Sequence, residues 1–283
     1  MRVITLIENR PSSIDSRLVA EWGLSLHITF NGHNILFDTG NSGSFADNAE
    51  HLSVNLAAVD TALLSHHHYD HGGGLRRFFE ANGDAPVYLG QAPGGDCFGR
   101  PLLPFMKKYV GLDKTLMTDF PNRFKTVGRP AEILPDVFVF PHISGLYPRP
   151  AGNRRLFVRR DGKLTPDDFA HEIVMAIKEK NELVIFTGCS HNGVLNMVAT
   201  VAREFEGVPV KAVIGGFHLV ALPPFSRMAD TTQDVEDLAK KVLGYPIGQI
   251  YTGHCTCTRA FAILKAVLGD RIADLETGCC LEV

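Results

Sequence analysis

A chain of 283 residues with 45% apolar and 21% charged residues is long enough for one large domain or two small ones. A net charge of −3 supplies no basic surface for a nucleic acid, and no run of about 18 apolar residues offers a membrane span. The amino terminus meets Glu8, Asn9 and Arg10 at once, so it lacks the apolar core of an export signal, and a cytoplasmic protein with six reduced thiols is expected.

In chain order, Val3–Ile7 reads as a first strand, 24–30 as a half-buried strand of period two, and 35–37 as its hairpin partner ending in Asp38-Thr39-Gly40. Taken alone, Asp38 is equally a site acid or a turn residue. A helix is expected over 44–56, with Phe45, Ala49, Leu52 and Leu56 on one side. The strand 59–64 then delivers Ser65-His66-His67-His68-Tyr69-Asp70-His71, followed by three glycines and a helix from Leu75 that stops at Asn82-Gly83. Pro86–Leu89 reads as another strand. From Gln91 to about Pro166 the pattern weakens to isolated runs such as Phe138-Val139-Phe140. Too long for a plain loop, this stretch reads as an insertion within one domain spanning 1–283, able to cover the mouth of a site. Arg149, Arg154 and Arg155 within it either clamp a phosphate or carboxylate or belong to a solvated hairpin.

The last third alternates strands (172–177, 183–186, 210–214, 249–251) with helices (194–205, 231–243, 259–268) and closes on a strand at 280–283. Three of its strands end in glycine and then histidine: His191, His218 and His254. Because strand–helix–strand crossovers share one hand, those three strand ends meet at one sheet edge. In the earlier loop, His66 and His68 alternate and share one side, with His67 on the other; Asp70 and His71 lie further round the turn, and Tyr69 reads as packing. The pairs suit two adjacent cations, each keeping an open position. Two such ions about 3.5–4 Å apart lower the pKa of a bridging water and clamp phosphoryl or carbonyl oxygens. Of the six thiols, Cys189 and Cys255 lie near a histidine, whereas Cys255-Thr256-Cys257 and Cys279-Cys280 lack zinc-ribbon spacing.

The string Ser-His-x-His-x-Asp-His between a strand and a glycine-rich helix start resembles the signature of the metallo-β-lactamase superfamily, and Phe37-Asp38-Thr39-Gly40 resembles that superfamily's upstream acid. Gly23–Leu26, Thr187–His191, Gly215–Leu219 and Thr252–Thr256 narrow the resemblance to a branch that includes dihydropterin–ribofuranosylaminobenzene-phosphate synthases. The resemblance implies an α/β fold, an αββα sandwich, with a two-metal site at one edge. It implies His66, His68, Asp70, His71 and His254 as metal ligands, Asp38 as a supporting acid, and Asp70 and His218 as catalytic residues, His218 either ligating or donating a proton or hydrogen bond. Two departures follow. No Gly-His-Thr motif stands before the Thr-Gly strand, where Asp167, Asp168 and His171 lie instead, so His191 is expected to supply that ligand. Cys189 stands where related hydrolases carry a bridging acid, and is either a thiolate ligand or a neutral thiol. The expected cofactors are two divalent ions, zinc first, with manganese, nickel or iron as alternatives. The substrate class expected is a phosphate-bearing small molecule, processed by hydrolysis or by dihydropterin-type transfer. A metal-binding sensor or redox protein is the competing reading. Nothing in the sequence speaks to oligomeric state.

Overall fold

The computed structural model describes residues 1–100, 106–221 and 227–283. Strand β1 (Arg2–Ile7) turns Val3 to one face and Ile4 and Leu6 to the other. The same alternation runs through β2 (Ser25–Phe30), β3 (His33–Phe37), β4 (Thr61–Leu64) and β5 (Val87–Leu89). Helix α1 (Ser44–His51), the single turn α2 (Tyr69–Gly72) and α3 (Leu75–Ala81) interrupt these strands. Phe45, Ala49, Leu75 and Phe78 pack on the Ile4, Leu6 and Leu36 face. Helix α1 stops earlier than the 44–56 pattern predicts, because Ser53 adopts a left-handed φ of 57°. Leu52 and Leu56 still reach the same core through that bend.

Between 91 and 166 lie β6 (Asp96–Gly99), β7 (Lys108–Tyr109), α4 (Leu116–Asp119), β8 (Phe124–Thr126), β9 (Ala131–Leu134), β10 (Val137–Phe140), β11 (Leu156–Arg160) and β12 (Lys163–Pro166). Residues 101–105 of this stretch lie outside the described residues. Strands β8, β9 and β10 extend the large sheets; β12, β11, β6 and β7 form a separate four-stranded antiparallel sheet. Apart from 138–140, none of these strands was expected. They are two to five residues long and interleaved with Pro and Gly, too short for a period of two to emerge.

The chain then forms β13 (Val174–Glu179), β14 (Glu182–Phe186), α5 (Val194–Glu204), β15 (Val210–Ile214), α6 (Thr232–Val242), β16 (Ile247–Thr252), α7 (Thr258–Leu268), β17 (Ile272–Asp274) and β18 (Cys280–Glu282). Two seven-stranded sheets result, in the orders β18-β1-β2-β3-β4-β5-β8 and β17-β16-β15-β14-β13-β10-β9. Leu26, Ile28, Phe37 and Leu63 of the first meet Val139, Met175, Val184 and Phe186 of the second, all fully buried or nearly so. Each such side chain contributes about 1.5–3 kcal/mol on leaving water. Helices α5, α6 and α7 cover the outer face of the second sheet through Val198, Val201, Val235, Ala239 and Leu264. The fold is therefore the αββα sandwich that the sequence implied.

Strand direction positions the site. β3 and β4 run parallel in one sheet, and β14, β15 and β16 run parallel in the other. β1 is antiparallel to β2 and β2 to β3, so β1 exits at the same edge as β3. Open α/β sheets bind ligands at the carboxyl ends of such strands. Here Glu8-Asn9, Asp38, Ser65–His71, Cys189–His191, His218 and His254 all follow those ends.

Candidate metal centre

Asp38 is the anchor of the first half. It emerges from β3 with a φ of 59° and is fully buried. One carboxylate oxygen accepts the Ser65 N–H at 2.7 Å; the other accepts the Ser65 hydroxyl at 2.7 Å and His71 Nδ1–H at 2.6 Å. Having donated its single proton to Asp38, Ser65 Oγ can only accept from His66 Nδ1, 2.9 Å away. His66 and His71 are thus fixed as tautomers whose Nε2 atoms carry the free lone pairs. A Cβ on Gly188 would overlap Ser65 Oγ, which explains why glycine precedes Cys189.

The second half uses asparagine instead. Asn153 accepts His191 Nδ1–H at 2.9 Å and donates to the His191 carbonyl at 2.7 Å. Asn9 treats His254 the same way, at 3.1 and 2.8 Å. Two buried carboxylates hold the backbone of these loops. Glu172 accepts the N–H groups of His191 and Asn192, each at 2.7 Å, and Glu8 accepts the N–H of His254. Neither glutamate was anticipated, nor was either asparagine. Glu8 and Asn9 follow a strand end at the site edge, which is the signal that could have found them.

These constraints turn bare nitrogens towards one another. His66 Nε2 lies 3.3 Å from His191 Nε2, and His71 Nε2 lies 3.1 Å from both His254 Nε2 and Cys189 Sγ. Asp70, held by the Trp22 indole N–H at 2.8 Å, is 3.6 Å from His254 Nε2. Donor atoms of Asp70, His71, Cys189 and His254 form one group within 4.8 Å, and those of His66, Cys189 and His191 another, so Cys189 belongs to both. Burial, reinforced by neighbouring imidazoles, holds His66, His68, His191 and His254 well below the ordinary histidine range, so they are neutral and able to ligate. Burial opposes charge on His71 too, but the Asp38 carboxylate prevails and raises it. Burial raises Asp70 and, together with Cys255, pushes the Cys189 thiol well up. A nearby cation reverses that tendency for both.

His68 sits with its ring centroid 4.6 Å from that of His66 and 5.0 Å from that of His191, and its buried Nε2 has no hydrogen-bond partner. Its donor atom groups within 4.8 Å with Cys97, Asp167 and His171 rather than with His66. That second group is not a comparable cradle. His171 Nδ1 accepts the His67 N–H at 3.2 Å, so its proton resides on Nε2, 3.3 Å from Asp167, and no lone pair remains there. His67 points away, towards the Gly90 carbonyl.

His218, at a φ of 49°, lies against His191 with 4.0 Å between ring centroids and the rings tilted by 54°. Neither ring nitrogen has a partner of ordinary hydrogen-bond geometry, the Gly152 backbone lying alongside, and burial pushes its pKa down to about 3. It lines a pocket over the donor atoms together with Trp22, Tyr69, Val110, Leu156 and Val220. Tyr69 both packs on the Val110, Leu156 and Phe169 cluster and lines this pocket. Arg149 and Arg154 line a different cleft with Tyr147, Asp230 and Lys241, and the Arg155 carbonyl accepts the Arg100 N–H. None of the three arginines is among the described residues lining the pocket over the donors.

An αββα sandwich with this histidine-rich edge defines a class of metal-dependent enzymes, and the comparisons agree. The model of the metallo-beta-lactamase superfamily matches residues 24–191, and the chain belongs to that superfamily. It is 30% identical to a 7,8-dihydropterin-6-methyl-4-(beta-D-ribofuranosyl)-aminobenzene-5'-phosphate synthase of Methanocaldococcus jannaschii, over 98% of this chain and 95% of that protein. It also superposes on Tm1679, described as a metal-dependent hydrolase of the beta-lactamase superfamily, with a TM-score of 0.80 and 27% identity, covering 100% and 99% of the two chains. Zn(2+)-bound PqqB from Methylobacterium extorquens shares the fold at a TM-score of 0.56 and 15% identity, with both chains fully covered. Superfamily and relatives together support a metal-dependent enzyme.

Proposed function

We propose that this protein is an enzyme with two divalent cations, acting on a phosphate-bearing small molecule. One observation carries the metal reading. The His66 and His191 Nε2 atoms, both unprotonated and buried, face each other across 3.3 Å, an arrangement that repels unless a cation lies between them. The donor chemistry fits: imidazole, thiolate and carboxylate together suit zinc first, with manganese, nickel or iron also accepted by a nitrogen-rich shell. His66 and His191 would hold one ion, with His68, whose ring neighbours both and whose Nε2 is unpartnered, as the third candidate ligand. Asp70, His71 and His254 would hold the other, with Cys189 reaching both.

Bound cations supply Lewis acidity and an activated water or a clamp on a leaving phosphate. The chain's own residues do the rest. Asp38, Asn9 and Asn153 fix the ring tautomers, and Trp22 orients Asp70. His218 lines the pocket with both ring nitrogens unpartnered, and its neutral imidazole hydrogen-bonds the substrate or its leaving group there. The name of the M. jannaschii relative favours dihydropterin-type transfer, that of Tm1679 hydrolysis; both use one site and differ in substrate.

Metal content and turnover test this reading together. Protein loaded with zinc or manganese is offered phosphodiester, lactone and dihydropterin-diphosphate panels beside His66→Ala/His68→Ala. The expected outcome is about two ions per chain in the wild type, fewer in the double variant, and loss of the detected activity. Unchanged metal content and activity in that variant would overturn the proposal.

A further inference from the structure

We infer that Lys108 is a specificity-determining residue, which holds an anionic group of the substrate at a point separate from the metals. The inference rests on the reading of this pocket as the substrate site. Around the donor atoms the walls are Trp22, Tyr69, Val110, Leu156 and Val220, which offer a substrate chiefly apolar and aromatic surface. Lys108 is the one Lys or Arg among the described residues lining that pocket. Its Nζ stands 4.6 Å from the centre of the Tyr69 ring and 3.3 Å from the Tyr69 hydroxyl. No carboxylate pairs with it among the described residues, unlike Lys114 and Arg159, which both bind Asp96. An exposed ammonium resting on an aromatic face keeps donors free for an incoming anion.

Backbone bonds fix where that ammonium stands. Tyr69 N–H donates to the Val110 carbonyl at 3.0 Å, and Gly111 forms an isolated bridge with His68. The strand carrying Lys108 is thereby tied to the loop carrying His66–His71. Lys108 and Trp22 both line the pocket over the donor atoms, so an apolar body with an anion beside it meets a matching wall. Charge-assisted bonds of this kind discriminate by about tenfold or more.

Trp22 is the single tryptophan of the chain and lies in the pocket, so its fluorescence reports occupancy. The full-length, metal-loaded protein is titrated with phenylmethanesulfonate, whose sulfonate is a poor metal ligand, and with benzyl alcohol. We expect the sulfonate to bind about tenfold more tightly, and more weakly as salt is added. Lys108→Gln should bring the two ligands within about twofold of each other, and Lys108→Arg should restore most of the preference. Equal binding of both ligands by the wild type, a sulfonate preference that survives Lys108→Gln, or no response to either ligand would each overturn the assignment. Metal content is measured on the same samples. Normal metal with no sulfonate preference defeats the Lys108 inference alone, whereas absent metal defeats the proposed function.

Discussion

The two halves of the candidate metal centre are built on opposite plans. The first sheet delivers His66, His68, Asp70 and His71 from one loop after β4, and a single carboxylate, Asp38, holds that loop through three hydrogen bonds. The second sheet delivers His191, His218 and His254 from three separate strand ends, and here support comes piecemeal from Asn153, Glu172, Asn9 and Glu8. A loop-borne half concentrates its risk in one acid. A strand-borne half spreads it, so that each support should cost less to lose.

Asp38→Ala should have the largest effect. Removing the acid orphans three buried donors, so we expect more than tenfold weaker metal binding in competition with a chelator, and a loss of several kcal/mol in denaturant unfolding. If Asp38→Ala costs no more than a single asparagine change, the contrast between the halves fails.

Glu8 sharpens the contrast through pH. Burial raises its pKa from 4.5 to about 7, so the folded metal-free chain binds more protons than the unfolded one between those values. Stability from this group is therefore present below about pH 4.5 and lost as pH rises through 7, amounting to about 3 kcal/mol. The stability difference between wild type and Glu8→Gln, measured by denaturant unfolding without metal, should shift by that order from pH 4 to pH 8 in favour of the variant. A constant difference across the range would refute the assignment.

Asn153→Ala and Asn9→Ala come next. Each frees one ring to rotate, and each should weaken metal binding about tenfold. Because the two asparagines clamp different histidines, their effects should add in the double variant, as free energies of independent sites do. Strong non-additivity would mean that the strand-borne half acts as one unit after all. Arg76→Ala is the small end of the scale. Arg76 pairs with Asp113 and Asp119 at the surface, where solvent screens such pairs, so its loss should leave both the denaturant midpoint and the metal content nearly unchanged.

The same contrast explains what could be read from the sequence. The loop-borne half is local: imidazoles and a carboxylate within six residues announce themselves. The strand-borne histidines became legible through repetition, since three strands each ended in glycine and histidine. Their supports carried no such mark. Asn153 and Lys108 lie in the stretch where short strands hide among prolines and glycines, and Asn becomes a clamp only once His191 is beside it. The arginines of that stretch looked suited to an anion, but Arg149 and Arg154 line another cleft, while among the described residues the cation lining the pocket is a lysine with no motif around it. Asp38 taken alone could be read as either turn or acid; the resemblance implied the acid, and its three buried donors give that role a physical form.

The separate sheet of β6, β7, β11 and β12 gives the molecule two independent adjustments. Leu156 of β11 and Val110, directly after β7, line the pocket while contributing no donor atom, so exchanging them should reshape the chamber and spare the candidate cation cradle. Gly111 is different, because it pairs with the backbone of His68, and a Cβ there would press on the Tyr109 hydroxyl. Side-chain changes in this sheet retune what enters. A backbone shift at Gly111 would reach the candidate metal centre itself.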